Sequence, residues 1–160
     1  MTESCQELQS QAWPASTQEV SLLSADLYEA AGAMRQVGEA VAGKVGQTQA
    51  RWQVLSVLPG SGWTVPQAAR RLGVTRQSVQ RVVDLLVADG LVELMPNPDH
   101  ARSRIAQLTA LGLETLNRIR EAAGPWHGAV AAQLSLADLR RARSVLQELT
   151  RLARDHSGMG

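Results

Sequence analysis

Two short helical patterns near the middle of the chain are separated only by a two-residue turn and a capping residue, and this spacing constrains the fold more than any other feature. A polar, proline-containing start predicts a first helix over Val65–Leu72, which ends at Gly73. Thr75 is then expected to cap a second helix over Arg76–Ala88. Because the connection is so short, the two helices must pack against each other at a steep angle, as a helix-turn-helix.

The second of these helices has an unusual polar face. Its apolar residues (Val79, Val82, Val83 and Leu86) cluster on one side, and arginine, glutamine and serine occupy the opposite side in place of the usual lysine and glutamate. Arginine pairs with guanine and glutamine with adenine in the major groove, which a helix-turn-helix enters with the N-terminal residues of its second helix. The residues predicted to contact DNA here are Thr75, Arg76, Gln77, Ser78, Gln80 and Arg81. A plain solvated helix and a protein-docking surface are the alternatives.

A β-hairpin is predicted directly after this helix. Residues 91–95 have strand character, residues 96–100 contain two prolines and form a turn, and residues 104–108 return as the second strand. Arg102 and Arg104 lie at or beside the turn, where they can reach the minor groove or the phosphates. The fold is therefore predicted to be mainly α with a small β-hairpin wing, an α+β winged helix-turn-helix.

The charge distribution supports a polyanionic partner. Residues 48–109 carry seven arginines against four acids, a net charge of +3, whereas residues 1–47 carry two basic residues against six acids, a net charge of −4. Arg70 and Arg71, in the first helix of the helix-turn-helix, are either phosphate neighbours or ordinary surface residues.

Long helices flank this unit at both ends of the chain, and each needs a partner. Heptad spacing gives the N-terminal helix an apolar stripe of Val20, Leu23, Leu27, Ala30, Met34, Val37 and Val41. The last helix, opened by Ser135, has a second stripe of Leu139, Ala142, Leu146, Leu149 and Ala153. Between the hairpin and the last helix, the sequence predicts a helix whose apolar stripe runs from Leu116 to Val130. This helix is expected to kink or break at Gly124-Pro125.

Residues 63–86, which read WTVPQAARRLGVTRQSVQRVVDLL, resemble the helix-turn-helix of the multiple-antibiotic-resistance regulator (MarR) family. The resemblance continues through residues 90–93, and residues 97–102 resemble the family's wing, although Asp99 and Arg102 are three apart where the family often has Asp-x-Arg. Residues 108–112 are similar to the Leu-Thr-x-x-Gly sequence that closes that wing.

The resemblance implies an obligate homodimer whose terminal helices interlock and whose two winged helices bind the half-sites of a palindrome in double-stranded DNA. We accordingly predict a flexible arm over residues 1–16, dimerisation helices over 17–47 and 110–156, and a DNA-binding unit over 48–109. The protein is expected to be a repressor that a small-molecule effector or an oxidant releases from DNA. A docking or architectural module without sequence-specific DNA binding is the alternative.

Several other classes are not favoured. Cys5 is the only cysteine, so an internal disulfide is excluded. One branch of the family uses a cysteine as a redox sensor. For Cys5 an inert thiol is preferred, because its nearest charges in sequence, Glu3 and Glu7, are negative and a reactive thiol usually needs positive neighbours. The three histidines have no partner at helical spacing, so no metal or other cofactor is predicted. No nucleophile–base pair suggests an enzyme. Without a secretory signal or an apolar run of membrane length, a cytoplasmic protein is expected.

Overall fold

The structure, a computed structural model, describes residues 13–60, 62–100, 103–156 and 158. These residues form α1 (Ala15–Gly43), α2 (Gln49–Val57), β1 (Trp63–Thr64), α3 (Val65–Leu72), α4 (Arg76–Ala88), β2 (Val92–Met95), β3 (Ile105–Leu108), α5 (Ala110–Ala131) and α6 (Leu136–His156). The predicted fold class, mainly helical with a small β wing, is confirmed. None of the described helices has the length and apolar character needed to cross a membrane.

The helix-turn-helix forms where the capping residues predict it. Gln67 Oε1 accepts hydrogen bonds from the backbone N–H and the hydroxyl of Thr64, both at 2.8 Å, and so fixes the start of α3. Gly73 ends the helix in the left-handed conformation, with φ of 68°. Thr75 Oγ1 accepts from the N–H of Ser78 at 3.1 Å and caps α4. The predicted starts and ends of both helices are confirmed.

The wing hairpin is confirmed, but it belongs to a three-stranded sheet. Strands β2 and β3 pair antiparallel, with Val92 opposite Leu108 and Met95 opposite Ile105. The additional strand β1 pairs with the other edge of β3, giving the order β1-β3-β2. This strand was not predicted, because two residues are too few to show the alternation by which a strand is recognised in sequence.

One continuous core joins the helix-turn-helix to both long helices. Its fully buried large side chains come from α2, α4, β2 and α5 and from the residue after α2; they are Val54, Leu55, Leu58, Val79, Val83, Leu86, Val92, Leu116 and Ile119. Helix α1 adds Val41 near its C-terminal end, and α5 adds Ala123. The inner ends of α1 and α5 therefore share the core of residues 48–109, and only their outer parts project from it.

The start of α5 packs unusually closely against the end of α4. Thr109 Oγ1 donates to the carbonyl of Gly90 at 2.7 Å and accepts from the N–H of Gly112 at 3.0 Å. A Cβ at Gly112 would lie 1.9 Å from the carbonyl oxygen of Leu91, so only glycine fits there. This contact explains why the segment that closes the wing carries threonine and glycine three residues apart.

Helix α5 continues through Gly124-Pro125, so of the kink or break predicted there, the break is wrong. Proline removes one backbone hydrogen bond and crowds the preceding turn. Pro125 is exposed, so water can reach the carbonyl that loses its partner, and Ala123, two residues before it, is buried in the core. Helix α1 likewise begins at Ala15, inside the predicted arm, and Cys5 lies outside the described residues.

The outer part of α1 and the whole of α6 contact little within the chain. The buried residues of α1 are Gly38, Val41 and Ala42, all near its C-terminal end, and α6 has none. Val20 and Leu146 on the two predicted stripes are 55% and 39% exposed. The outer part of the α1 stripe and the α6 stripe are thus apolar surfaces that the described part of the chain does not bury.

Candidate nucleic-acid interface

Helix α4 buries one face and exposes the other as its residue pattern predicts. Val79, Val83 and Leu86 are buried against the core, and Val82 is half-buried. All six residues predicted to contact DNA in and before this helix are exposed. Gln77 and Arg81 are about one turn apart along the helix, and viewed down its axis they lie opposite the buried residues.

The exposed side chains differ in how firmly they are held. Arg76, Gln77 and Arg81 make no side-chain hydrogen bond or ion pair with another described residue, so their donors are available to a ligand. Gln80 donates from Nε2 to Asp84 Oδ1 at 2.7 Å. The hydroxyls of Thr75 and Ser78 lie 2.8 Å apart in a hydrogen bond that is part of the helix cap.

A cleft of about 670 Å³ lies between the start of α3, the start of α4 and the wing; we call it the wing cleft. Its basic lining residues are Arg70, Arg76, Arg104 and His100, and none of its lining residues is acidic. Arg104 Nη2 donates to the carbonyl of Leu94 across the hairpin, which holds this guanidinium group against the wing. Arg102, the other predicted wing residue, lies outside the described residues.

The structure distinguishes two arginines that the sequence left equivalent. Arg70 lines the wing cleft beside Arg76, whereas Arg71 lines a different cleft against α6. Sequence reasoning kept Arg70 open between phosphate neighbour and ordinary surface. The orientation of α3 relative to the wing determines which cleft each arginine lines, and no local pattern encodes that orientation; a phosphate contact by Arg70 stays a prediction.

The far end of α4 is anchored by an ion pair that was not predicted. The guanidinium of Arg51 in α2 contacts the carboxylate of Asp89 just after α4. The side chain of Arg51 is 17% exposed and that of Asp89 52% exposed. This contact ties the C-terminal end of α4 to α2, whereas the cap at Thr75 acts within the first turn of α4.

Metal ligation is not indicated by the geometry. Within the part of the chain that the structure describes, no three His, Cys, Asp or Glu side chains come close enough to share a metal ion. What the described site offers is a set of cationic and amide donors on a convex helix, next to a cleft that contains no carboxylate. Such a surface is suited to polyanion binding.

Comparison with known proteins agrees with this geometry. A family model described as MarR family matches residues 46–103, which contain the helix-turn-helix and most of the wing. The chain belongs to the MarR family. The predicted resemblance is thereby confirmed, and MarR-family regulators are transcription factors rather than enzymes.

Relatives align over most of the chain. An uncharacterised protein of Mycobacterium tuberculosis strain H37Rv is 48% identical over 131 residues, which cover 82% of this chain and 92% of the relative. Among solved structures, the MarR family transcription regulator SP03579 is 26% identical, with a TM-score of 0.67 and coverage of 92% of this chain and 100% of that one.

Two structures determined with ligands share the fold at lower identity. A mutant of MarR from E. coli complexed with operator DNA is 20% identical, with a TM-score of 0.69 and coverage of 82% of this chain and 95% of that one. NadR in complex with 4-hydroxyphenylacetate is 19% identical, with a TM-score of 0.73 and coverage of 80% and 92%. At these identities the likeness establishes the fold alone.

Proposed function

We propose that this MarR-family protein is a cytoplasmic, non-catalytic transcriptional repressor that binds a palindromic operator as a homodimer. The observation that carries the proposal is the pair of unengaged side chains Gln77 and Arg81 on the outer face of α4, beside a wing cleft without acidic residues. A surface that docks protein would not need the amide and guanidinium donors that read base edges.

Recognition of bases is assigned to the outer face of α4. In the major groove, Arg81 would donate two hydrogen bonds to a guanine, and Gln77 would pair with an adenine. Gln80 would have to exchange its bond with Asp84 for a base contact. Thr75 and Ser78 hold the helix cap, so their contribution is to position the N-terminal turn and to offer hydroxyls to a nearby phosphate.

Phosphate contacts are assigned to the wing cleft and the wing. Arg76 is the first residue of α4, where the helix dipole also favours an anion, and Arg70 faces the same cleft. Arg104 is held against the hairpin in a position to contact the backbone, and Arg102 is proposed to enter the minor groove from the wing tip. Affinity that depends on several such contacts falls steeply with salt concentration.

Dimerisation is assigned to residues 17–47 and 110–156, and the reading of DNA to residues 48–109. The support is that the outer part of the α1 stripe and the α6 stripe are not buried within the described chain. A second copy would cover them and would place two α4 helices in successive major grooves, about one helical turn apart.

Release from DNA is assigned to a small-molecule effector. The fold is shared with NadR, which is solved in complex with 4-hydroxyphenylacetate. A ligand that changes the packing between the terminal helices and the reading unit would alter the spacing of the two α4 helices and so weaken binding to a fixed palindrome.

The test is to recover genomic DNA fragments with purified protein at two salt concentrations and to sequence them. A palindrome whose half-sites lie about one helical turn apart should be enriched at both concentrations. The double variant Gln77→Ala/Arg81→Ala serves as the matched control and should enrich no palindrome. If the wild-type protein also recovers DNA without sequence preference, and only at low salt, the docking or architectural alternative is favoured.

A further inference from the structure

A second cleft, of about 570 Å³, lies between α3 and α6; we call it the α6 cleft. Arginine supplies most of its charge, with Arg71 from α3 and Arg143, Arg151 and Arg154 from α6. Asp155 is the one acidic lining residue. Such a concentration of positive charge is notable in a chain whose formal net charge is only +1.

One of the four arginines is neutralised by its neighbours. Arg151 binds Glu148 through Nη2 at 2.6 Å and Asp155 through Nη1 at 2.7 Å. These bonds raise the pKa of Arg151 and lower that of Glu148, because the guanidinium donates hydrogen bonds to the carboxylate. Asp155 is thereby occupied as well, so the cleft's own acid does not balance the remaining arginines.

The other three arginines face the cleft without a carboxylate partner. Arg71 and Arg143 form no ion pair with any described residue, and Arg154 contacts a neutral carbonyl oxygen. Like charges brought together repel, and an anion that bridges them removes this repulsion. Guanidinium groups are also the side chains best suited to bidentate binding of carboxylate and phosphate.

Arg154 links this cleft to the helix-turn-helix. Its Nη2 donates to the backbone carbonyl of Arg70 at 3.0 Å. That carbonyl lies in the last turn of α3, where carbonyls lack helical partners and a cation is favourable. This hydrogen bond joins the end of α6 to α3, and Gly73 and the start of the base-reading helix α4 follow directly along the chain.

The position of the cleft separates it from the surface assigned to DNA. None of its lining residues comes from α4 or from the wing, and α3 places Arg70 in the wing cleft and Arg71 in the α6 cleft. Its volume is in the range of small-molecule sites. A duplex seated on α4 would not cover this cleft. Leu146, in its lining, is on the α6 stripe assigned to the dimer interface, so the cleft adjoins that interface while its arginines lie to one side of the stripe.

We propose that the α6 cleft binds a small organic polyanion with two or more carboxylate or phosphate groups, held by Arg71, Arg143 and Arg154. The anion would draw the Arg154 guanidinium away from the carbonyl of Arg70. The end of α3 would then lose its contact with α6, and α4 would be held less firmly in its DNA-binding position. Only this regulatory consequence rests on the proposed function; anion binding itself does not.

Calorimetric titration of the full-length protein with citrate and with pyrophosphate, at constant ionic strength and without DNA, tests the site. Saturable binding is expected for at least one probe and not for acetate, and the tighter probe identifies the preferred group. Arg143→Gln should weaken binding about ten-fold or more, because charge-assisted hydrogen bonds are lost. The matched control Arg76→Gln, in the wing cleft, should bind the probe as the wild type does.

Two calorimetric results would overturn the proposal. One is the absence of saturable binding for both probes. The other is an equal loss in Arg76→Gln and Arg143→Gln, since the anion would then occupy the DNA surface.

Fluorescence anisotropy with the recovered palindrome tests the regulatory part. The probe that binds should weaken DNA binding by the wild type, whereas Arg143→Gln should bind the palindrome normally and resist the probe. Equal release from both proteins would contradict regulation through this cleft. If no protein binds a palindrome while calorimetry still shows the Arg143-dependent site, the proposed function and its regulation fail together but the anion site stands.

Discussion

Helices α5 and α6 have nearly the same length but opposite relations to the rest of the molecule. Helix α5 buries Gly112, Thr115, Leu116, Ile119 and Ala123 along one face, whereas α6 buries no residue. Both helices carry leucines at helical spacing, so apolar periodicity alone does not determine what a helix packs against. In α5 the stripe completes the core of its own chain, and in α6 the stripe remains available for another surface.

Helix α1 combines the two situations in one element. Near its C-terminal end, Val41 and Ala42 are buried in the shared core, and its outer turns expose Val20, Leu23 and Leu27. The winged helix and the inner helix ends therefore form a self-contained packing unit. The outer parts of α1 and the whole of α6 depend on a partner for burial, and a second copy of the chain is the partner proposed above.

The largest effect is expected from placing a charge on the stripe of α6. In a dimer, Leu149→Asp would put two unpaired carboxylates in the interface, and a buried unpaired charge costs about 3–5 kcal/mol. Leu149 is chosen because, unlike Leu146, it does not line the arginine-rich α6 cleft. Sedimentation should show a monomeric or unfolded protein that no longer binds a palindrome. Ser144→Asp, on the opposite face of the same helix, is the control and should remain dimeric. A dimeric Leu149→Asp protein that still binds would rule out this interface.

The next largest effect is a loss of folding stability when a side chain is shortened on the buried stripe of α5. Leu116 is fully buried, so Leu116→Ala should reduce the free energy of unfolding by about 2–5 kcal/mol through lost burial and a cavity. Leu113→Ala, in the same helix but 46% exposed, should change it by less than about 0.5 kcal/mol. Urea unfolding followed by circular dichroism measures both values. Similar losses in the two variants would mean that Leu113 is also covered in the folded protein.

Much of this fold could be predicted because its signals are local. The bounds of α3 and α4 follow from Thr64, Gln67, Gly73 and Thr75, whose capping contacts act within one helical turn. The two-residue strand β1 could not be recognised, because its pairing with β3 is a long-range contact without a periodic signature. The uninterrupted course of α5 through Pro125 also carries no local signal, because proline and glycine in sequence favour a break and the buried part of the helix, up to Ala123, is set by long-range packing.

The candidate site was less accessible to prediction than the fold. The exposed face of α4 follows from helical periodicity, and all its predicted side chains are on the surface. Which of them are free to bind does not follow, since Gln80 is held by Asp84 and the Thr75 and Ser78 hydroxyls by each other. The separation of Arg70 from Arg71 depends on how α3 is oriented between the wing and α6.

A smaller effect, on the affinity for DNA, is expected when an exposed side chain of α4 in the self-contained packing unit is removed. Arg81→Ala should lower affinity for the palindrome by about 1–3 kcal/mol and relax the preference at one base pair in each half-site. Arg118→Ala, an exposed arginine on α5, controls for the general loss of positive charge and should keep the base preference. Binding is measured by anisotropy on the palindrome and its single-base variants. An equal loss on specific and random duplex would make Arg81 a phosphate contact.

The smallest effect, on thermal stability, is expected from removing the ion pair between Glu148 and Arg151 in α6. Arg151 lowers the pKa of Glu148 below its usual value of 4.5, so the stabilisation is present above that value and is lost as the pH falls through the lowered pKa. Both side chains are largely exposed, and such pairs contribute little. Glu148→Gln should therefore lower the thermal midpoint only slightly at pH 7, and the difference from wild type should disappear in acid. A large, pH-independent loss would mean instead that Glu148 is buried in the dimer interface, which would extend the partner-dependent surface of α6 beyond its apolar stripe.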